Sequence, residues 1–125
     1  AAEFAKLLAS RARDVNGVKL ISVAGADLTA DADPTFLRNA ALALQKELQN
    51  TALVAAFTYD GKPQLLLMYS DDLVAKGKNA GKDIREAAKF ILGGGGGQPG
   101  LASAGGKDAS GLDKAMETLV SVATS

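Results

Sequence analysis

Five consecutive glycines, Gly93, Gly94, Gly95, Gly96 and Gly97, are the residues of this chain with the most to offer a ligand. They continue as Gln98–Pro99–Gly100–Leu101–Ala102–Ser103–Ala104–Gly105–Gly106–Lys107. Glycine loses more entropy on folding than any other residue and is costly inside regular structure. Fourteen of them in 125 residues, concentrated here, therefore call for a reason. A main chain without side chains can approach a partner closely. Its successive N–H groups can also converge on an anion or on the backbone of a polar polymer. Small residues throughout 93–106 suggest two close backbone segments forming a shallow surface. A flexible linker is the competing reading. The lack of interspersed serine, and the return of Ala104–Gly105–Gly106, argue against it.

Gly95, Gly97 and Gly100 formally match the G-x-G-x-x-G dinucleotide fingerprint. That motif must follow a strand, open a helix and be trailed by an acidic residue about 20 positions on. Here the run follows a helical pattern, and Pro99 interrupts it ahead of a strand. No Gly-Lys-Ser/Thr closes it as in a P-loop. Nearby, Lys78, Lys82, Arg85 and Lys89 fall within about 60° of one another on a helical wheel, and Lys107 adds a fifth cation beyond the glycines. Cations beside exposed N–H groups would hold phosphates, in a manner that weakens with salt and carries little sequence information. A plain solvated face is the alternative, and Glu86, four residues after Lys82, damps the field.

Much other chemistry is excluded. There is no His and no Cys. Zinc sites need one or the other in nearly every case, and Ser–His or Cys–His nucleophile pairs cannot form. Lack of disulfides fits an intracellular, cytoplasmic protein. Fourteen Lys and Arg balance fourteen Asp and Glu, which rules out a strongly basic nucleic-acid binder at the level of the whole domain but not of one face. Asp71–Asp72 could hold a metal at a strand end, but in Ser-Asp-Asp-Leu they read as helix caps. Asp27, Asp31 and Asp33 are likewise turn and cap residues. Tyr59 and Tyr69 could stack on bases, but each flanks an apolar strand and is assigned to packing. No catalytic residue, metal ligand or cofactor is expected.

The elements that must carry these residues follow from periodicity. Phe4, Leu7, Leu8, Ala12 and Val15 predict a first helix, uncapped at its start and stopped by Asn16–Gly17. Glu3 stands where a signal peptide would carry positive charge. Val18–Ala24 reads as a strand. Asp33–Pro34 opens a helix with Phe36, Ala40, Leu44 and Leu48 as its buried stripe. Leu53–Tyr59 and Leu65–Ser70 are apolar runs joined through Asp60–Gly61, a strong hairpin signal. Their unbroken apolar character puts them centrally, with layers on both faces. A short helix follows Ser70. Ala80, Ile84, Ala87, Ala88 and Ile91 predict the next helix. Leu101–Ala104 reads as a strand, and Ser110–Asp113 as a capping box for a last helix through Leu112, Ala115, Met116, Leu119 and Ala123. The expectation is a mixed α+β domain: a sheet of about four to five strands with helices packed on it. Residues 1–17 would be the end of a linker or helical segment and 18–125 the domain proper. No apolar stretch approaches the roughly 20 residues that span a bilayer.

Gly93–Gly97 with Gln98–Pro99, followed by Ala102-x-Ala104–Gly105–Gly106–Lys107–Asp108, closely resembles the end of bacterial alanyl-tRNA synthetases. The opening helix, Val18–Ala24, the 36–48 helix, the Asp60–Gly61–Lys62 hairpin and Ser70–Leu73 stand in the matching order. The resemblance implies a globular domain of the class also attached to DHH phosphoesterases. It implies a non-catalytic role: binding the body of tRNA(Ala) in support of aminoacylation and editing. Ligation, ATP, Mg and Zn would belong to other domains of the parent enzyme. The implied tRNA-binding residues are Gly93–Gly97, Gln98, Gly105, Gly106 and Lys107, with Lys78, Lys82, Arg85 and Lys89 on phosphates. Implied partners are tRNA(Ala), the other synthetase domains and a second copy through a preceding helical segment, of which residues 1–16 would be the end. The phosphoesterase relatives usually carry Gly-Gly-His where this chain has Gln98–Pro99. The alternative, a substrate-binding domain for short oligonucleotides or cyclic dinucleotides, is disfavoured on that residue. A protein–protein or dimerisation module is a third class compatible with neutral charge.

Overall fold

A computed structural model of the chain describes residues 2–28 and 33–125. In chain order the elements are α1 (Ala2–Ala9), β1 (Arg13–Val15), β2 (Val18–Ala24), α2 (Pro34–Glu47), β3 (Thr51–Tyr59) and β4 (Lys62–Tyr69). They continue as α3 (Asp71–Ala75), α4 (Ala80–Ala88), β5 (Gly94–Gly97), β6 (Leu101–Gly105) and α5 (Leu112–Ala123). The strands form one mixed sheet in the order β1-β2-β3-β4-β6-β5. Strands β2 and β3 run parallel, and all other neighbours are antiparallel. The class is the mixed α+β one expected, with six strands in place of four to five.

The two extra strands, β1 and β5, lie at the sheet's edges. Strand β1 corrects the predicted first helix, which ends at Ala9 rather than reaching Val15. Ala12 and Val15 do keep helical spacing with Leu8. However, Asn16 and Gly17 take φ of 52° and 85°, the positive pair of a type I′ turn, and Val15 pairs with Val18 across it. Asp60 and Gly61 repeat the device at 53° and 76°, joining β3 to β4 as read.

Successive strand residues point to opposite faces, so a central strand buried on both sides must be apolar throughout. Strands β3 and β4 are such strands. Ala52, Val54, Ala56, Leu65, Leu67 and Tyr69 share a cluster with Ile84, Ala87 and Ala88 of α4 and Ala115, Leu119 and Ala123 of α5. Leu53, Ala55, Phe57, Leu66 and Met68 share the opposite one with Ala5 and Leu8 of α1 and Leu37, Ala40, Ala41 and Leu44 of α2. The α2 stripe is thus centred one residue from the predicted one. Ala40 and Leu44 are buried, while Phe36 is half-buried with its ring centroid 5.1 Å from that of Phe4.

Caps set the element ends. The Asp33 carboxylate accepts the Phe36 N–H at 2.7 Å, with Pro34 opening α2. Asp27 accepts the Ala24 N–H and pairs with Arg11, a turn role as read. Asp31 lies outside the described residues. The capping box at 110–113 is not formed. Asp108 instead accepts the Ser110 N–H at 3.0 Å, and Gly111 precedes α5. Among the described residues, no helix is long and apolar enough to cross a membrane.

Candidate nucleic-acid interface

The glycine run is an edge strand. Gly94, Gly95, Gly96 and Gly97 pair antiparallel with Gly105, Ala104, Ser103 and Ala102. Strand propensity reports side-chain packing, so a strand with no side chains gives no signal in the sequence. Both ends are tied down. Gly93 N–H donates to Ala88 O at 3.1 Å, and Gln98 N–H to Leu101 O at 2.9 Å. Pro99 O accepts the Ala80 N–H at 2.8 Å, and Gly100 O the Tyr69 N–H at 2.9 Å. A linker makes no such bonds.

The two sides of β5 differ. A Cβ on Gly95 would stand 2.5 Å from Ser103 O and 2.8 Å from the Ala104 Cα, backbone atoms that cannot step aside. Helix α4 packs just as closely: a Cβ on Gly81 would stand 2.8 Å from Gly97 O. On the other side, a Cβ at Gly94 would meet nothing within 4 Å, and one at Gly96 only the Arg85 guanidinium at 3.7 Å. One side is bare because the neighbouring chain is too near, and the other is bare and open.

The cations are only partly a stripe. Lys82 and Arg85 are exposed on α4, and Lys89 is exposed just past its end. Lys89 lies 3.5 Å from Glu86, while Lys82 and Arg85 have no carboxylate within ion-pair distance among the described residues. Lys78 precedes the α4 N-cap residue Asn79 and turns away. Its Nζ donates to Val122 O and Ser125 O at 2.9 and 3.1 Å, holding the end of α5, and sits 5.5 Å from the Tyr69 ring centroid.

A groove at the start of β5 is lined by Lys62, Gln64, Leu92, Gly93, Gly94, Gly105, Gly106 and Lys107. Gly106 N–H donates to Pro63 O, and Lys107 N–H to Ile91 O, fixing the loop that carries Lys107. Gln98 is exposed at the far end of β5. The structure thus gathers the expected glycines and Lys107 in one place. It adds Lys62, Gln64 and Leu92, which sequence reasoning passed over. Lys62 was hidden inside a turn signal, and Gln64 reaches Gly105 only through the β4–β6 register. Leu92 takes φ 50°, rare for a bulky residue, and is 66% exposed.

The acidic pair is absorbed by the scaffold. Asp72 accepts the Ser70 hydroxyl at 2.6 Å and the Asn50 N–H at 2.9 and 3.0 Å. The Ser70 hydroxyl bond, then the Asn50 N–H, holds its carboxyl below the ordinary value. Asp71 lies 3.4 Å from Lys46. Tyr69 is fully buried, as read, and its hydroxyl donates to Asp83 at 2.6 Å. Burial, then the Asp83 bond and charge, push its ionisation far up. Tyr59 differs from the expectation of packing: it is 41% exposed, because β3 runs on past its helical cover. Among the described residues, no three His, Cys, Asp or Glu side chains are grouped to hold a metal ion.

Residues 9–125 match the DHHA1 domain family. The chain belongs to that family. Its curated relatives include the alanine–tRNA ligase of Bacteroides thetaiotaomicron, 43% identical over 112 residues, or 89% of this chain and 12% of the relative. That of Cytophaga hutchinsonii is 52% identical over 81 residues, covering 64% of this chain and 9% of the relative. The chain thus spans about an eighth or less of these relatives. Among solved structures, the C-Ala domain of Aquifex aeolicus alanyl-tRNA synthetase superposes with a TM-score of 0.74 at 26% identity, covering 91% of this chain and 98% of that one. The DHHA1 assignment and these relatives agree with the resemblance carried by the glycine signature.

Proposed function

We propose that this DHHA1 domain is the tRNA-contacting domain of an alanine–tRNA ligase, and that its contact surface is the glycine edge of the sheet. The observation that carries the reading is the open side of β5. There, bare main chain at Gly94 and Gly96 is flanked by Arg85, Lys62 and Lys107, with Lys82 exposed three residues before Arg85 on α4. Close approach of a sugar–phosphate backbone needs a floor without side chains, and cations at its rim supply the attraction. Gln98, exposed where β5 ends, can hydrogen-bond a base edge or a 2′-OH. Gly93–Gly97, Gly105 and Gly106 form the floor, and Lys89 extends the rim. Lys78 serves α5 first and contributes only long-range charge.

In this reading the domain does no chemistry and holds no cofactor. Alanine activation with ATP and Mg, and Zn-dependent editing, belong to other domains of the parent enzyme. This one holds the body of tRNA(Ala) so that those domains use the same molecule. With few unpaired cations and zero net charge, the isolated domain binds weakly, micromolar or worse. The test is a filter or gel-shift titration against tRNA(Ala) at two salt concentrations, with a Lys82→Glu/Arg85→Glu variant alongside. The variant is expected to lose retention and salt dependence together. Equal retention by both proteins removes α4 from the mechanism.

A further inference from the structure

Strand β3 carries an exposed aromatic side chain that the proposed tRNA contact does not use. Cross-strand register shows what surrounds it. Tyr59 pairs with Lys62, Phe57 with Gln64, Gln64 with Gly105, and Gly105 with Gly94. Residues paired in this way lie on one face of a sheet. That face is the α2 face, since Phe57 and Leu66 belong to the α2 cluster. Helix α2 begins only at Pro34, however, and among the described residues nothing of it covers this corner. Tyr59 is 41% exposed, Ser103 is exposed, and a Cβ on Gly105 would meet only the Gln64 amide at 3.6–4.0 Å.

The corner is continuous. Gln64 lines the basic groove with Lys62, Lys107 and Gly94, and also a second recess with Phe57, Leu66, Ser103, Pro34 and Arg38. From the strand of Tyr59 to that of Gly94 is three inter-strand spacings, about 14 Å. Along that distance stand an aromatic face, a primary amide, a glycine floor and two lysines. Neither lysine has a carboxylate within ion-pair distance among the described residues. Of the acids nearby, Asp60 sits in the hairpin turn and Asp108 is engaged with Ser110.

We infer that this corner is a subsite for unpaired nucleotides: a base stacks on Tyr59, Gln64 hydrogen-bonds a base edge, and Lys62 and Lys107 hold the adjoining phosphates. Each part matches a known economy of single-strand recognition, in which an aromatic platform takes any base and cations track the backbone. An apolar protein partner would leave two unpaired lysines desolvated, so the charge favours RNA. The inference rests on the tRNA reading and adds that the contacted RNA offers at least one unstacked base.

The test is titration of the 125-residue chain with a tRNA(Ala) transcript, comparing wild type, Tyr59→Ala, Tyr59→Phe and Lys62→Gln/Lys107→Gln. Loss of one stacked base costs about 1–3 kcal/mol, so Tyr59→Ala weakens binding by about 5- to 150-fold while Tyr59→Phe stays within about twofold. The slope of log affinity against log salt is unchanged in Tyr59→Ala and falls by roughly 1.4–1.8 in the double lysine variant. Circular dichroism confirms that each variant folds, as an exposed ring permits. With folded proteins, equal affinity of Tyr59→Ala and wild type overturns the subsite and leaves the tRNA reading standing. Failure of wild type to retain tRNA overturns both. If Tyr59 ring resonances instead respond only to the other ligase domains, the corner is a protein contact and the inference is wrong.

Discussion

Replacing Gly95 by alanine should destabilise this protein, whereas the same change one residue earlier should not. The Gly95 Cβ would lie 2.5 Å from Ser103 O and 2.8 Å from the Ala104 Cα. Neither atom can move without loosening the β5–β6 ladder. Overpacking of this kind costs about 1–3 kcal/mol. For a domain of this size that is roughly 4 °C of melting temperature per kcal/mol, or about 4–12 °C in all. At Gly94 nothing lies within 4 Å and φ is not positive. Alanine there restricts the unfolded chain and is neutral or stabilising by up to about 1 kcal/mol. Urea and thermal melts of the two variants, run in parallel, give the comparison. Equal stability of Gly95→Ala and Gly94→Ala would refute the claim that one side of β5 is closed by backbone and the other open.

Gly81→Ala gains about 1 kcal/mol of helix propensity but drives a Cβ to 2.8 Å from Gly97 O, so a net loss in urea stability is expected. Tyr69→Phe deprives the Asp83 carboxylate of its buried donor and should cost about 1–3 kcal/mol in the same assay. Asp72 has a depressed carboxyl in the folded state. Its contribution is therefore fully present above the unfolded value near 3.9 and is lost as pH falls through the lower folded value. Asp72→Asn should flatten that acid limb in a stability–pH profile while lowering stability at pH 7.

Much of the scaffold was legible because its side chains announce it. Val18–Ala24 has the bounds read from the sequence, and Asp33–Pro34 opens α2. The Asp60–Gly61 turn and the buried face of α4 are likewise as read. The failures share one cause: local patterns that two structures satisfy equally. Ala12 and Val15 fit a helix until Asn16–Gly17 is taken as a turn between strands rather than a stop. Ser110–Asp113 has capping-box spacing, yet Asp108 reaches the Ser110 N–H from outside that window. Strand β5 is invisible because it has no side chains, although the close approach of two backbones was foreseeable from small residues on both. Lys78 shares the wheel angle of Lys82 and Arg85 but precedes the helix, so a wheel could not show that it caps α5. Tyr59 and Tyr69 look alike in the sequence, each flanking an apolar strand. The structure separates them: Tyr69 is buried in the cluster under α4 and α5, whereas Tyr59 ends β3 on the other face and stays 41% exposed.

The claim on which the functional account turns is that open main chain at the sheet edge is where RNA docks. Gly94→Val tests it with least disturbance, because the added side chain enters empty space and valine suits a strand. The account predicts a protein as stable as wild type whose tRNA(Ala) affinity falls at least tenfold at low salt. A stable Gly94→Val protein that binds tRNA(Ala) like wild type would contradict it.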